Sequence, residues 1–447
     1  MMISNYLKLA SIVMLSTVLF TTACSDDNNP VNPNIPGEEI PDMYTNLPGT
    51  LITENETWSS DTTLAGPHFI LPGVTLTIDP GVTVSFEYHN GRSEDVGTII
   101  ALDADDENFD SPRSSGRLVA DGEADNPIVF TSARTNPERN DWGGIILVGH
   151  APNNIPGGVG EVEGLSNAIN YGGDKPDDDS GILRYVRIEY TGYSIAEGSE
   201  LQALTLYSVG SGTTLEHINI YECSDDGVEW FGGNADMRYL VVYGADDDSF
   251  DMDQGWSGRG QFWLAVQREG ADNGFENDGR AELGSGNPTS PLLSNITVYG
   301  APNNTDDFKS GMRLREDFTG DYRNIILSNM PGYNFVLEGA AGDENEADQS
   351  WDNYDSGDLA LSNFYIWNNA LGWEKAADAD RYAASYTETD PIFTDPDNFV
   401  FTLQTGSPAL TGATVPSDSF FEQVEFAGAM GEQDWTREGS WVRWPNQ

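Results

Sequence analysis

Seven segments of this chain are alike, and many share one form: Leu or an aromatic, two variable residues, alternating aliphatics, then Tyr or Trp, then Asn or Gly. They are "LRYVRIEY" (183–190), "LEHINIY" (215–221), "MRYLVVYG" (237–244), "QFWLAVQ" (261–267), "LSNITVYG" (293–300), "YRNIILSN" (322–329) and "LSNFYIWNN" (361–369). Ile188, Ile220, Val242, Val266, Val298, Leu327 and Ile366 take equivalent places, at intervals of 32, 22, 24, 32, 29 and 39 residues. A minimum near 22 with variable surplus is the mark of a solenoid: each coil needs a fixed length for its short strands, and the excess loops out. One coil cannot bury its own apolar side, but stacked coils share a continuous core. Successive coils then pair in parallel about 4.8 Å apart. A propeller blade would need about 40–45 residues, which excludes it, and a β-sandwich has no reason to keep this period.

The rest of the chain agrees. No amphipathic helix of normal length is visible. Short β-branched runs, "VTLTI" (74–78), "VTVSF" (82–86), "GRLVADG" (116–122), "PIVFTSA" (127–133) and "WGGIILVG" (142–149), are bounded by turn residues. The 48 glycines suit a fold with many turns. "ILPGVTLTIDPGVTVSF", "GRLVADGEADNPIVFTS" and "DWGGIILVG" resemble the opening coils of right-handed parallel β-helix proteins of the pectate-lyase-like superfamily, in particular bacterial cell-surface lipoproteins of that fold. "DNFVFTLQTGSPALTGA" (397–413) resembles their closing coils, and residues 420–444 resemble the tail that follows. The expected fold is an all-β, right-handed parallel β-helix solenoid over residues 45–413, with irregular insertions and a C-terminal capping tail over 414–447.

The amino terminus reads as a targeting segment. Lys8 precedes an apolar run from Leu9 to Phe20, too short to span a bilayer. "TTAC" then resembles a bacterial lipoprotein signal, which implies removal of residues 1–23 and lipidation of Cys24. "SDDNN" after it resembles an export signal for the outer leaflet of the outer membrane. Residues 24–44 hold four prolines and read as an extended tether. With Cys24 lipidated, Cys223 has no disulfide partner and reads as a small buried hydrophobe.

The chain carries 73 acids against 21 bases, a net charge of −52. That excludes nucleic acid as a partner, because its phosphates would be repelled. The acids also recur in register. "CSDDGVEW" (223–230), "ADDDSFDMDQG" (245–255) and "ADNGFENDG" (271–279) align Val228, Phe250 and Phe275 in one column and Glu229, Asp251 and Glu276 in the next. Strand alternation sends the apolar column inward and the acidic column outward. Asp226, Asp248 and Asn273 would form a second ladder near the turn. Carboxylates stacked at strand spacing must be screened by water, held protonated, or bridged by a cation. Ca²⁺ takes six to eight oxygens, and Asp225, Asp226, Glu229, Asp247, Asp248, Asp251, Asp253, Asp272 and Glu276 are its candidate ligands here. The competing reading gives the turn aspartates the ordinary task of capping backbone groups.

In "TDDFKSG" (305–311) Phe308 aligns with the apolar column, which puts Lys309 on the acidic ladder as its fourth rung. Lys309, Arg280 and Arg313 are candidate ligand-binding cations, and Trp230 and Trp256 are candidate sugar-stacking rings. His217 reads as a surface histidine. The acidic stretches 103–110, 173–181 and 342–358 read as solvated insertions. The expected role is non-catalytic binding of a polysaccharide, a cation or an outer-membrane transporter by a lipid-anchored surface protein. Two alternatives remain open: a polysaccharide lyase or glycoside hydrolase on the same face, for which stacked carboxylates supply a near-suitable spacing, and a structural or adhesive protein.

Overall fold

The computed structural model describes residues 42–103, 114–163, 169–196, 199–280, 285–301, 309–338 and 350–445. Cys24 and the signal segment lie outside the described residues.

Two long sheets run the length of the molecule, and every strand pairing within them is parallel. The first sheet includes Leu204–Tyr207, Val228–Phe231, Phe250–Asp253, Phe275–Asp278 and Arg313–Arg315. The second includes Gly181–Thr191, Thr214–Cys223, Met237–Ala245, Arg259–Val266, Leu292–Tyr299 and Gly320–Ser328. The chain alternates between the sheets, so each coil contributes a strand to both. This is a parallel β-helix, and the tightest coil among the repeated segments is 22 residues, as between Ile220 and Val242.

The second sheet carries the repeated segments in register: Ile188 pairs with Ile220, Ile220 with Val242, Val298 with Leu327 and Leu327 with Ile366. One position departs from expectation. Ala265, not Val266, pairs with Val242 and Val298. The reason lies three residues earlier. Tyr185, His217, Tyr239, Phe262, Asn295, Asn324 and Asn363 form a column of left-handed residues, with φ between 48° and 60°. That bend fixes the count to the inward aliphatic, and Phe262 sets Ala265 there. Val266 falls beside Tyr243 and Tyr299 instead.

Asn tolerates the left-handed region; bulky residues rarely do. The four bulky members stack on one another: Tyr185–His217 at 4.3 Å, His217–Tyr239 at 4.4 Å and Tyr239–Phe262 at 5.1 Å between centroids. Trp441 meets the His217 ring edge-on at 5.3 Å. His217 is therefore packed in a stack, which corrects the expectation of a surface histidine. Burial, with Arg238 and Arg184 nearby, pushes it down to about 4, so its ring is neutral at physiological pH.

The C-terminal segment does not cap the end of the solenoid. It runs as a strap along the flank of the second sheet. Gly428 N–H donates to Asn324 O at 2.8 Å, Arg443 N–H to Asn219 Oδ1 at 2.8 Å and Ser440 N–H to Ala124 O at 2.7 Å. Its Trp441 and Trp444 are buried with Tyr190, Tyr221 and Tyr243 in a satellite cluster outside the main core.

Candidate functional site

The outer face of the first sheet is where the repeated acids meet. Val228 pairs with Phe250 and Phe250 with Phe275, while Glu229 pairs with Asp251 and Asp251 with Glu276. The acidic ladder thus forms in the expected register. It continues beyond both ends: Thr205 precedes Glu229, and Arg313 follows Glu276. A second outward column lies two residues on, as Tyr207, Phe231, Asp253, with Asp278 and Arg315 paired further along the sheet. The face therefore grades from aromatic through acidic to basic along the helix axis.

Between the two columns lies an inward one that contains Trp230, paired with Leu206 and Met252. Trp230 and Trp256 are fully buried, with centroids 5.0 Å apart, and Trp230 stacks on Trp263 at 5.3 Å. This corrects the reading of Trp230 and Trp256 as sugar platforms. Trp230 shares the strand face of Val228, so its ring belongs to the interior; Trp256 donates its indole N–H to Ala235 O at 3.2 Å from inside the core.

The turn acids form the second ladder. Asp226 Oδ1 accepts the Asp248 N–H at 2.8 Å, Asp248 Oδ1 accepts the Asn273 N–H, and Asn273 Oδ1 accepts the Ser310 N–H at 3.0 Å. Each side chain caps the backbone of the next coil, so part of the turn acidity serves the fold. Asp253 and Asp272 also sit in turns: Asp253 accepts the Gln254 N–H, and Asp272 N–H donates to Asp247 O at 2.9 Å.

Five of the nine candidate ligands nevertheless converge. Asp226, Glu229 and Asp251 place one carboxylate oxygen each within 4.8 Å of one another, and so do Asp226, Asp247 and Asp248. Oxygens across a Ca²⁺ ion lie about 4.6–5.2 Å apart, twice the ligand distance, so both groups have the reach for one. Asp226, Glu229 and Asp248 are buried, Asp251 is half-buried and Asp247 is exposed. Burial, and after it the neighbouring carboxylates, holds Asp226, Glu229, Asp248 and Asp251 far above the usual carboxylate range. Burial, then Asp247, pushes Asp225 to about 8; burial, then Asp278, pushes Asp253 to about 8. Glu229 Oε2 is buried and makes no hydrogen bond among the described residues. A buried carboxylate oxygen without a donor is costly, and this one lies among acceptors.

The basic end differs from expectation. Arg313, not Lys309, is the rung beyond Glu276. Met312-Arg313-Leu314-Arg315 alternates as a strand, whereas Lys309 lies before it and donates to Gly270 O at 2.9 Å. Arg315 holds Asp278 at 2.7 Å and Glu276 at 3.1 Å. These arginines limit the rise of Glu276, which burial lifts to about 7. Arg313 pairs with Glu338 at 2.5 Å and Arg280 with Asp317 at 2.5 Å. All three guanidiniums are committed to carboxylates.

Two acids of this face escaped the sequence reading. Glu163, and Glu200 on the hairpin strand Ser199–Leu201, add to the negative field on Glu229 and Asp225 respectively. They stand outside the repeat, and nothing in their spacing marks them. Asp178, in the stretch 173–181, is buried and accepts a hydrogen bond from Ser115 Oγ at 2.7 Å, which corrects its reading as part of a solvated loop. Cys223 is fully buried, as expected of a small hydrophobe. Most of 103–110 and half of 342–358 lie outside the described residues.

Compared with known proteins, residues 49–395 match the family model described as pectate-lyase-like beta helix domain. No curated protein matches the chain.

Proposed function

The chain belongs to the pectate-lyase-like β-helix family, and from that premise we propose that it is a lipid-anchored surface protein whose outer acidic face binds calcium without catalysis. The observation that carries this reading is Glu229 Oε2, buried without a donor and grouped with Asp226 and Asp251 within 4.8 Å. Three carboxylates at that spacing are either protonated or bridged, and a divalent cation resolves both the repulsion and the missing partner. Ca²⁺ suits an all-oxygen set better than metals that prefer nitrogen or sulfur. Commitment of Arg280, Arg313 and Arg315 to ion pairs supports binding over chemistry, since none of the three is left as a base.

The anchor is proposed from sequence alone: the apolar run, "TTAC" and the proline-rich tether would place the solenoid at the outer membrane through lipid on Cys24. A polysaccharide bearing acid groups is the proposed partner, because a face neutralised by calcium can bridge to carboxylates that the bare protein would repel.

A calorimetric calcium titration of the purified protein, with melting followed in parallel, tests the site. Saturable binding is expected; at free calcium one hundredfold above Kd, linkage adds about 2.7 kcal/mol of stability. The Glu229→Gln, Asp251→Asn double variant should lose both effects. No heat of binding and an unmoved melting temperature in the parent protein would end the proposal.

A further inference from the structure

The strap closes a cavity of about 500 Å³ against the flank of the second sheet, lined by Arg187, Arg437, Arg443, Gly439, Ser440 and Trp444, with Thr436 and Val442. Its charge is the reverse of the molecule's. In a chain with 73 acids and 21 bases, three arginines line this one cavity and, among the described residues, no carboxylate does.

The arginines are held from behind. Arg443 binds Glu189 at 2.7 Å and the Tyr190 hydroxyl at 2.7 Å. Arg187 Nε stands 3.1 Å from the other Glu189 oxygen, yet both atoms are buried and neither makes a hydrogen bond. Arg437 pairs with Asp434 at 3.1 Å and donates to Asn398 O at 3.1 Å. Two guanidiniums thus share one buried carboxylate, and the cavity keeps a positive surplus. Each guanidinium has five donors in a planar fork, so several remain for a ligand.

Clipping the strap in place explains five bonds: Arg187 to Ser440 O at 3.3 Å, Arg443 to Glu189 and to the Tyr190 hydroxyl, and Arg437 to the carbonyls of Asn398 and Phe399. It does not explain why three like charges converge on open space. Gly439 and Ser440 between them belong to the strap's packing: Gly439 has a φ of 85° and leaves no room for a side chain against Ala124 O, and Ser440 N–H donates to that same oxygen.

We propose that this cavity is a binding site for a small organic phosphate or sulfate ester. The tetrahedral oxyanion would be held by Arg187, Arg437 and Arg443, and the organic body would take the remaining volume beside Gly439 and Ser440. Tetrahedral oxyanions match the guanidinium fork and form short, charge-assisted hydrogen bonds. The volume exceeds what a bare anion fills, which leaves room for a body attached to it. The surrounding negative field disfavours anions elsewhere on the molecule, so the site would be selective by location as well as by shape.

The test is a calorimetric titration of the full chain in calcium-free buffer at physiological salt, using phenyl phosphate, phenyl sulfate and phenol. Absence of calcium separates this site from the acidic face, so that failure of either proposal leaves the other standing. Saturable one-to-one binding of at least one ester, with phenol at least tenfold weaker, is expected. Arg437→Gln changes a rim residue and should weaken ester binding at least tenfold while the variant still melts cooperatively; Arg187→Gln should weaken binding as well. No saturable binding of either ester would overturn the proposal. So would binding of phenol as tight as the esters, or ester affinity unchanged in both variants.

Discussion

Trp230→Ala should destabilise the protein by about 3–5 kcal/mol, the range for deleting a buried large aromatic. The side chain is fully buried, stacked on Trp263 at 5.3 Å and beside Trp256 at 5.0 Å. These three indoles fill the solenoid interior where the acidic coils pass, so the loss opens a cavity that neighbouring coils cannot close without breaking their strand register. Trp230→Phe should cost markedly less. Its volume loss is smaller, and it removes an indole N–H that is buried without an acceptor, a defect worth about 1–3 kcal/mol. Urea unfolding of the two variants beside the parent checks both statements. A ring serving as a surface platform would behave differently: its alanine variant would fall within about 0.5 kcal/mol of the parent.

That distinction was present in the sequence. Val228 and Trp230 are two apart on a strand, and alternation places them on one face; an inward Val228 requires an inward Trp230. The same rule made the acidic ladder legible, because Glu229, Asp251 and Glu276 each follow an apolar residue in a repeating motif. The rule failed where loop length was free. Between Glu276 and Arg313 the coil is far longer than 22 residues, and two apolar residues, Phe308 and Met312, competed for one column. "MRLRED" alternates and "DFKSG" does not, which was the signal that favoured Met312. The slip at Val266 had a different origin. A left-handed bend sets the count within each repeated segment, and Phe262 gives no hint of that conformation, whereas Asn295 or Asn324 would. The full negative field on the acidic face was beyond the sequence, since part of it comes from Glu163 and Glu200, which belong to no repeat. The strap's path was equally hidden, because its partners, Ala124, Asn219 and Asn324, are scattered along the chain.

In the absence of divalent cations, stability should fall as pH rises from about 5 to about 8, by several kcal/mol. The carboxylates of the acidic face have folded-state pKa values raised above those of the unfolded chain, near 4. Asp225 and Asp253 are lifted to about 8, and Asp226, Glu229, Asp248 and Asp251 also lie high. Between these limits the folded state holds protons that the unfolded state has released. Stability is therefore fully present below the unfolded value and is lost as pH rises through the folded one. Each tenfold by which folding strengthens an independent carboxyl's hold on its proton contributes about 1.4 kcal/mol to that loss. Repulsion among exposed acids has the same sign, but salt screens it and hardly touches buried groups. Thermal melts in a chelator at about 0.15 M and 0.5 M NaCl separate the two contributions: the slope that survives high salt belongs to the buried ladder. Glu229→Gln with Asp251→Asn should flatten that surviving slope and raise the melting temperature at pH 8, because the variant no longer needs protons to stay neutral. Saturating calcium should flatten it in the parent, since the ion takes the place of the protons and binds more tightly as they leave. A melting temperature independent of pH across this window, in chelator and at high salt, would mean that the ladder is charged and solvated, and the calcium site would lose its physical basis.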